Sequence, residues 1–496
     1  VALHAQRRSW GGGFTRAVVP ASRNTLNKNK KPVEAAMDPH KLARTYIKQY
    51  CTDQQGRMTL RHWHGEFWRY EDGRYLRMTQ VEMSARLTKA IKKHVDEVPL
   101  VDQFGRAYPV TKGTVSNVMN ALSAELHVSD SIEQPAWVGG ENGHTNYIAM
   151  RNGLLDLSHG ESGSAAALRP LTPNWFSSVR FPYDYDPNAT CPKWLGFLHR
   201  VLEGDAERIR LLQQWFGYIL TPDTSLHSFL VLEGEGANGK SVVLDVAEAM
   251  LGHTNVSHVP VELFGDRFQL TMTVNKLANI APEVNETARV DEGVFKQFTA
   301  GDAMYFDKKG VQGFDAKPTA RLMMATNNRP PFSDRSDGIW RRMLYLPFRV
   351  TIPPEERNPN LAQQLKTEIA GILNWALEGR RSLYATGRFP TSAVSMGAIQ
   401  EYRRESNPAG VFLREQCHWE DGERVGVDAM YQAYRGWAKD NGHTSLNNAQ
   451  FGKEVTKVYR TVKKVRATAE DGSRPWMYQG LALGTQPEAV DLKTAA

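Results

Sequence analysis

The chain has 496 residues and a mass of 55.8 kDa, with 41% hydrophobic and 23% charged residues. At roughly 100 to 200 residues per domain this is a folded protein of about three domains, and the composition excludes a disordered, collagenous or coiled-coil chain. Cys51, Cys191 and Cys417 lie far apart with no C-x-x-C pair, which excludes a disulfide framework and a cysteine-built zinc ribbon and points to a reducing, intracellular compartment.

Of the formal charge of +7, residues 1–36 carry +6, with Arg7, Arg8, Arg16, Arg23, Lys28, Lys30 and Lys31 against Glu34 alone. The rest is close to neutral, so a nucleic-acid partner has to be argued from local patches. No run approaches the roughly 18 apolar residues of a membrane span, so no membrane partner is expected. Residues 1–36 read as a basic disordered leader or an expression remnant, with Met37 opening the folded part; an organellar transit peptide is the alternative.

Residues 37–190 read as an N-terminal α/β domain, with helices over 39–50, 80–97 and 114–127. Two strands meet at Asp72-Gly73 within 64–78, and strand-like pieces follow at 148–157 and 175–185. His62 and His64 fall on one strand face without a third ligand, and Asp184 and Asp186 sit in a proline-flanked aromatic connector, so neither pair is read as a metal site. Residues 191–222 read as a helical collar, with one helix over 194–220.

The ATPase reading covers residues 223–385. An apolar strand over 229–232 leads into Gly234-Glu-Gly236-Ala237-Asn238-Gly239-Lys240-Ser241, and a helical pattern runs from Val242 to Leu251. This is G-x-x-x-x-G-K-S in strand, loop and helix order. The glycines let backbone N–H groups turn toward phosphate oxygens ahead of a helix N-terminus, so Gly234 to Val242 are expected to line a nucleoside triphosphate. Lys240 is expected to reach its β and γ phosphates and Ser241 to ligate Mg²⁺.

The strand over 276–281 ends ahead of Glu283 and Glu286, carboxylates placed to hold Mg²⁺ through water and to polarise the attacking water. A second strand, 321–326, delivers Asn327, an amide suited to orienting water against the γ-phosphate or to capping a turn. Arg341 and Arg342 precede the strand 343–348 and are candidates for an arginine finger reaching across a subunit interface. Between these strands, a helix over 294–299 precedes a hairpin with Lys308 and Lys309 at its tip, either a solvated turn or a contact to DNA backbone in a ring channel.

A helix over 361–383 closes this region, and 386–410 reads as a linker helix. In 411–484 the order is helix (427–441), helix (445–459), then a hairpin of strands over 462–467 and 477–483, which suits a winged helix. Lys453, Lys457, Arg460, Lys463 and Lys464, with Arg466, face only Glu454, a local +5 that favours phosphate contacts. Residues 485–496 read as a polar tail.

Asn152-Gly-Leu-Leu-Asp156, Tyr185-Asp-Pro187, Gly217-Tyr218, the phosphate loop, Phe295-Lys296 with Gly301-Asp302, Ala325-Thr-Asn327 and Asp334 through Arg342 together span roughly residues 150–350. In this order they resemble the superfamily 3 helicases, of the phage and plasmid primase-helicase type related to poxvirus replication ATPases. The resemblance implies an α/β AAA+ core, ATP and Mg²⁺ as cofactors, and a hexameric homo-oligomer moving 3′ to 5′ on single-stranded DNA. It implies that Lys240 and Ser241 form the first nucleotide motif, Glu283 and Glu286 the acidic second motif, Lys308 and Lys309 the channel hairpin, Asn327 the polar sensor, and Arg341 or Arg342 the finger. Relatives of this type also often end in a winged-helix domain. Two features depart from the pattern: the acidic motif lacks adjacent carboxylates, and no zinc-ligand cluster or catalytic carboxylate pair of a primase precedes it. The expected activity is an ATP-dependent helicase on single-stranded and forked DNA, replicating a phage, plasmid or other mobile element in a bacterial cytoplasm, with a separate primase or polymerase as partner. A P-loop loader or remodeller and a nucleotide-switched origin-binding initiator are the alternatives.

Overall fold

The structure is a computed structural model, and it describes residues 37–98, 105, 106, 108–158, 167–284, 290–308, 311–327, 332, 337–468 and 474–484. The chain forms two compact units, one running to Lys48 and resuming over Ser84–Glu125, the other taking Gln49–Met83 and everything from Leu126. The first is built from most of three helices, α1 (Pro39–Tyr50), α2 (Gln80–Glu97) and α3 (Lys112–Glu125). Each buries an apolar stripe at helical spacing, such as Leu42, Tyr46 and Ile47 on α1 and Val115, Val118 and Leu122 on α3.

The second unit begins with an antiparallel meander of β1 (Leu60–Trp63), β2 (Glu66–Glu71) and β3 (Arg74–Met78). Sequence reading predicts only the turn at Asp72-Gly73. The other, at His64-Gly65, takes positive φ at both residues without the Asn or Asp that usually marks such a turn. His64 is therefore in a turn and not on a strand face beside His62, which corrects the expected pairing. Next come β4 (Ala136–Trp137), β5 (Tyr147–Met150), β6 (Gly153–Asp156), β7 (Leu168–Arg169) and β8 (Trp175–Phe176), with β4 paired to β8 and β5-β6-β7 forming a small antiparallel sheet. At the β5–β6 turn the Asn152 side chain donates to the Tyr185 carbonyl at 3.0 Å and accepts from the Tyr185 N–H at 2.9 Å. Two sequence fragments 33 residues apart are thus one clasp holding the connector.

The collar is two helices and not one: α4 (Pro192–Val201) and α5 (Ala206–Tyr218). Glu203 and Gly204 adopt positive φ, and Asp205 restarts the helix by accepting from the N–H groups of Glu207 and Arg208. The sequence pattern spans the break because both helices present apolar residues to the same core.

A parallel sheet follows, built from β9 (Phe229–Glu233), β10 (Val256–Ser257), β11 (Ala278–Ala281), β14 (Arg321–Thr326) and β15 (Met343–Pro347) in the order β10-β11-β14-β9-β15. Helix α6 (Lys240–Leu251) follows β9; α7 (Arg267–Leu270) and α8 (Glu292–Ala300) flank β11; β12 (Met304–Lys308) and β13 (Val311–Ala316) make an antiparallel hairpin; and α9 (Asp337–Trp340) precedes β15. Alternate strand residues enter separate cores. Leu230 and Leu232 face the core of α4, α5, α6 and α11 (Ile369–Thr386), whereas Phe229 and Val231 face that of α8. Burial on both faces explains the continuous apolar strands.

The predicted helix over 361–383 is divided into α10 (Leu361–Lys366) and α11, and Glu368 at the division accepts from the N–H groups of Lys193 and Trp194 in the first turn of α4. Helices α5 and α11 meet through glycines: a Cβ on Gly217 would lie 2.3 Å from the Arg380 nitrogen, and one on Gly379 would lie 2.2 Å from the Gln213 carbonyl oxygen.

The C-terminal part comprises α12 (Ala393–Glu405), α13 (Pro408–Glu415), β16 (Cys417–Gly426), α14 (Val427–Asp440), α15 (Asn448–Val458), β17 (Lys463–Arg466) and β18 (Trp476–Leu483), with sheet order β16-β18-β17. Phe412, Tyr434 and Phe451 centre its core, and the Tyr434 and Phe451 rings stack at 4.5 Å. Strand β16 is absent from the sequence reading; Cys417–Trp419 and Arg424–Gly426 pair with the distant β18, and the register shifts across the acidic stretch 420–423 between them. Among the described residues, no helix is long and apolar enough to cross a membrane.

The glycine crossing generates a stability test. Gly217→Ala should cost about 2 kcal/mol, since the clash is with backbone and not with a movable side chain; an unchanged urea midpoint would show that the crossing has slack.

Candidate nucleotide-binding site

The loop between β9 and α6 is held from below and from the side. Gly239 has φ +92°, and a Cβ there would come within 2.9 Å of the Phe197 ring and 3.1 Å of Val201 on α4. Gly234 abuts the Phe348 carbonyl beyond β15, where a Cβ would approach to 2.3 Å. Ile352 N–H donates to the Ala237 carbonyl at 2.8 Å. Gly236, by contrast, faces open space. Ser241 is exposed and Val242 is half-buried in the first turn of α6, whose leading N–H groups precede the intrahelical ladder and point out of the helix start.

Lys240 is 6% exposed. Its ammonium donates to the carbonyls of Gly234 and Glu235, to Asn238 Oδ1 at 3.2 Å and to Asn327 Oδ1 at 3.2 Å. Burial pulls its pKa below the usual lysine value, and the Glu233 carboxylate opposes that shift. Asn238, 3% exposed, also donates to the Glu235 carbonyl, which keeps the loop closed on itself.

Asn327 arrives by strand register. β14 lies parallel beside β9 with Thr326 opposite Glu233, so the residue after each strand emerges at the same sheet edge. Glu283, exposed beyond β11, joins them: Val284 N–H donates to the Ala325 carbonyl at 3.2 Å, and the Thr326 hydroxyl donates to the Val284 carbonyl at 3.4 Å. This is the carboxyl end of a parallel sheet, the edge at which α/β folds hold ligands. The oxygen and amine donors fit a magnesium triphosphate: loop N–H groups and Lys240 for phosphate, with the Ser241 hydroxyl and Glu283 carboxylate as hard oxygen ligands. Glu286 lies outside the described residues.

The two arginines are elsewhere. They precede β15, and Arg342 O accepts from Phe229 N–H at the opening end of β9. The five-residue strands therefore separate them from their own phosphate loop by about 16 Å, more than an arginine side chain spans. Arg342 is half-buried and donates to the Lys296 carbonyl at 3.3 Å; desolvation and the neighbouring Arg341 charge depress its pKa, with Asp302 opposing. Arg341 is exposed. The Lys296 carbonyl and the Asp302 charge thus act on Arg342.

Lys308 ends β12 opposite Val311, and Lys309 lies outside the described residues. Lys453 and Lys457 are exposed on α15, Arg460 follows it, and Lys463 and Lys464 are exposed on β17. Sequence reading overlooks Glu233, Phe197 and Phe348 as site residues. Only Glu233 has a local signal, a carboxylate immediately before the first glycine.

A paired substitution tests the cradle. Gly239→Ala should destabilise the fold by about 1 to 2 kcal/mol through positive φ and contact with α4, and weaken nucleotide binding. Gly236→Ala should leave the melting midpoint unchanged; equal losses at both positions would contradict the cradle geometry.

Three family models and several curated proteins resemble parts of this chain. Residues 47–203 match the family model described as D5 N terminal like, 232–342 a family of unknown function, DUF5906, and 404–478 the model described as Poxvirus D5 protein-like. A protein of Acanthamoeba polyphaga mimivirus named a "putative helicase" is 23% identical over 343 residues, covering 62% of this chain and 34% of that protein. One of Invertebrate iridescent virus 3, named likewise, is 25% identical over 273 residues, covering 47% and 29%. The chain thus spans about a third of the length of these curated relatives. The solved apo structure of the NrS-1 C-terminal region covers 89% of this chain and 99% of that one, with 9% identity and a TM-score of 0.47. Matches to the D5 N-terminal-like and Poxvirus D5 protein-like models thus lie on either side of the phosphate-loop segment, and over these segments the chain is similar to the poxvirus D5-like proteins.

Proposed function

We propose that the chain is an ATP-driven DNA helicase of superfamily 3 with an AAA+ core, acting on single-stranded and forked DNA in the replication of a mobile element. The observation that carries this reading is the Lys240 ammonium shared between the phosphate loop and Asn327 across neighbouring parallel strands. That is a phosphate-binding amine in contact with a polar sensor. The strand order β10-β11-β14-β9-β15 matches an AAA+ sheet, and a loader or initiator would share it.

In this reading Lys240 and the N–H groups of Gly236 to Val242 bind the β and γ phosphates, and Ser241 and Glu283 hold Mg²⁺, which supplies neutralisation of phosphate charge when bound. Glu283, with Glu286, takes the proton of the attacking water, and Asn327 orients that water. Arg341, exposed and remote from its own loop, acts on the neighbouring subunit's nucleotide in a hexameric ring, while Arg342 positions it through the Lys296 carbonyl. The β12–β13 hairpin carries Lys308 and Lys309 to the DNA backbone, with 3′ to 5′ movement.

The C-terminal helices and β16-β18-β17 sheet act as a winged helix, using Lys453, Lys457, Arg460, Lys463 and Lys464 on duplex phosphates. Priming falls to a separate primase or polymerase.

Strand displacement on a fork with a free 3′ tail is the direct test. Unwinding should vanish in Lys240→Ala; ATP hydrolysis without unwinding in the unmodified chain would favour a loader. Replacing Lys308 and Lys309 by Ala should abolish translocation and keep basal ATPase.

Arg341→Ala should lower turnover by about a thousandfold or more, whereas Arg342→Ala should also lower thermal stability. Mixing Arg341→Ala with Lys240→Ala subunits should restore hydrolysis at the interfaces that pair an intact loop with an intact finger. No recovery from assembled mixtures would overturn the cross-subunit role.

A further inference from the structure

At the far end of α6 from the phosphate loop, Glu248, His253 and His258 bring three ligand atoms within 4.8 Å of one another. Glu248 Oε1 lies 2.7 Å from His253 Nδ1 and 3.3 Å from His258 Nε2. His258 Nδ1 faces the Ile280 carbonyl at 3.1 Å. A carbonyl only accepts, so Nδ1 carries the hydrogen, and in neutral imidazole Nε2 then presents its lone pair. That lone pair is aimed at a carboxylate oxygen. Two acceptors face each other stably only with a cation between them, either a proton or a metal ion.

We propose that Glu248, His253 and His258 form a binding site for one divalent transition-metal ion of zinc-like preference. The convergence of a third donor, His253, favours a metal over a proton, because a proton needs only two. Two imidazoles and a carboxylate are a zinc donor set, with solvent completing the coordination, and they disfavour Mg²⁺ and Ca²⁺, which take oxygen ligands. The hydrogen bond from Nδ1–H to a backbone carbonyl is the outer-shell contact that orients a metal-binding histidine. The site is separate from the proposed Mg²⁺ ligand Ser241, seven residues earlier on α6 and about 10 Å along its axis.

The ion would join the last turn of α6 to the segment ending at His258, which crosses the edge of the sheet. That segment is a docking platform: Arg74 on β3 donates to the Thr254 hydroxyl at 2.7 Å, and Asn255 donates to the carbonyls of Arg180 at 2.8 Å and Leu251 at 2.7 Å. A metal clasp there stiffens both the phosphate-loop helix and the surface that receives the β1–β3 meander. It is independent of the helicase reading.

The test uses the untagged full chain, stripped with chelator and dialysed against Zn²⁺ in excess Mg²⁺. Elemental analysis should find one equivalent of zinc, Co²⁺ should give a visible band of low coordination number, and Zn²⁺ should raise the melting midpoint. The His253 side chain is 83% exposed, so His253→Ala should keep the metal-free midpoint while weakening zinc binding by more than the roughly tenfold cost of an outer-shell partner. His258→Ala should remove both the zinc and the shift, and Lys240→Ala should retain both. No zinc retained by the unmodified chain, or equal retention by His253→Ala, would overturn the proposal and leave a proton as the bridge.

Discussion

An ammonium withdrawn from water must be surrounded by oxygen, because an unpaired buried charge costs several kcal/mol. At Lys240 those oxygens come from the Gly234–Glu235 turn, from Asn238 in the loop, and from Asn327, 87 residues later. The last of these requires β14 to run parallel to β9 with Thr326 beside Glu233. A local motif therefore depends on a non-local strand pairing, and the pairing places the Asn327 amide against the Lys240 ammonium. The same acceptors that hold Lys240 are the groups a triphosphate would displace.

The scaffold around that contact is closely packed at the points where position matters. Helix α4 lies under Gly239, and Arg208, 2% exposed on α5, donates to the carbonyls of Leu202 at 2.9 Å and Pro347 at 3.0 Å. The collar is thereby fastened to the end of β15, whose next residue, Phe348, touches Gly234. Glycines on α5 and α11 let the helix backbones meet without intervening side chains. Strand β15 thus joins the loop contact at one end to the arginine pair at the other, and its length is the reason the pair lies away from its own loop.

Much of this was legible in the sequence. Strands 229–232, 321–326 and 343–348 are continuous apolar runs because both faces of the sheet are covered, and the G-x-x-x-x-G-K-S spacing carries its chemistry in eight consecutive residues. Helices over 39–50 and 80–97 were readable from periodicity alone. Other fragments were recognisable without their meaning. The Asn152 side chain clasps the Tyr185 backbone, Gly217 is the contact point of a helix crossing, and the Lys296 carbonyl and Asp302 charge act on Arg342. The breaks at 202–205 and 367–368 were hidden because apolar spacing continues across them into the same core.

Sequence by itself determined the local chemistry: which residues can cradle phosphate, where carboxylate and amide follow strands, and where charge collects at 453–466. Backbone conformations and short spacings are properties of neighbouring residues, so they survive in a one-dimensional reading. Tertiary structure decided which of these groups meet. It set Lys240 against Asn327, separated Arg341 from Gly234, paired β16 with the distant β18, and gathered Glu248, His253 and His258 at one end of α6. Those outcomes depend on strand order and register, which are settled by burying both faces of the sheet at once and are visible at no single position in the chain.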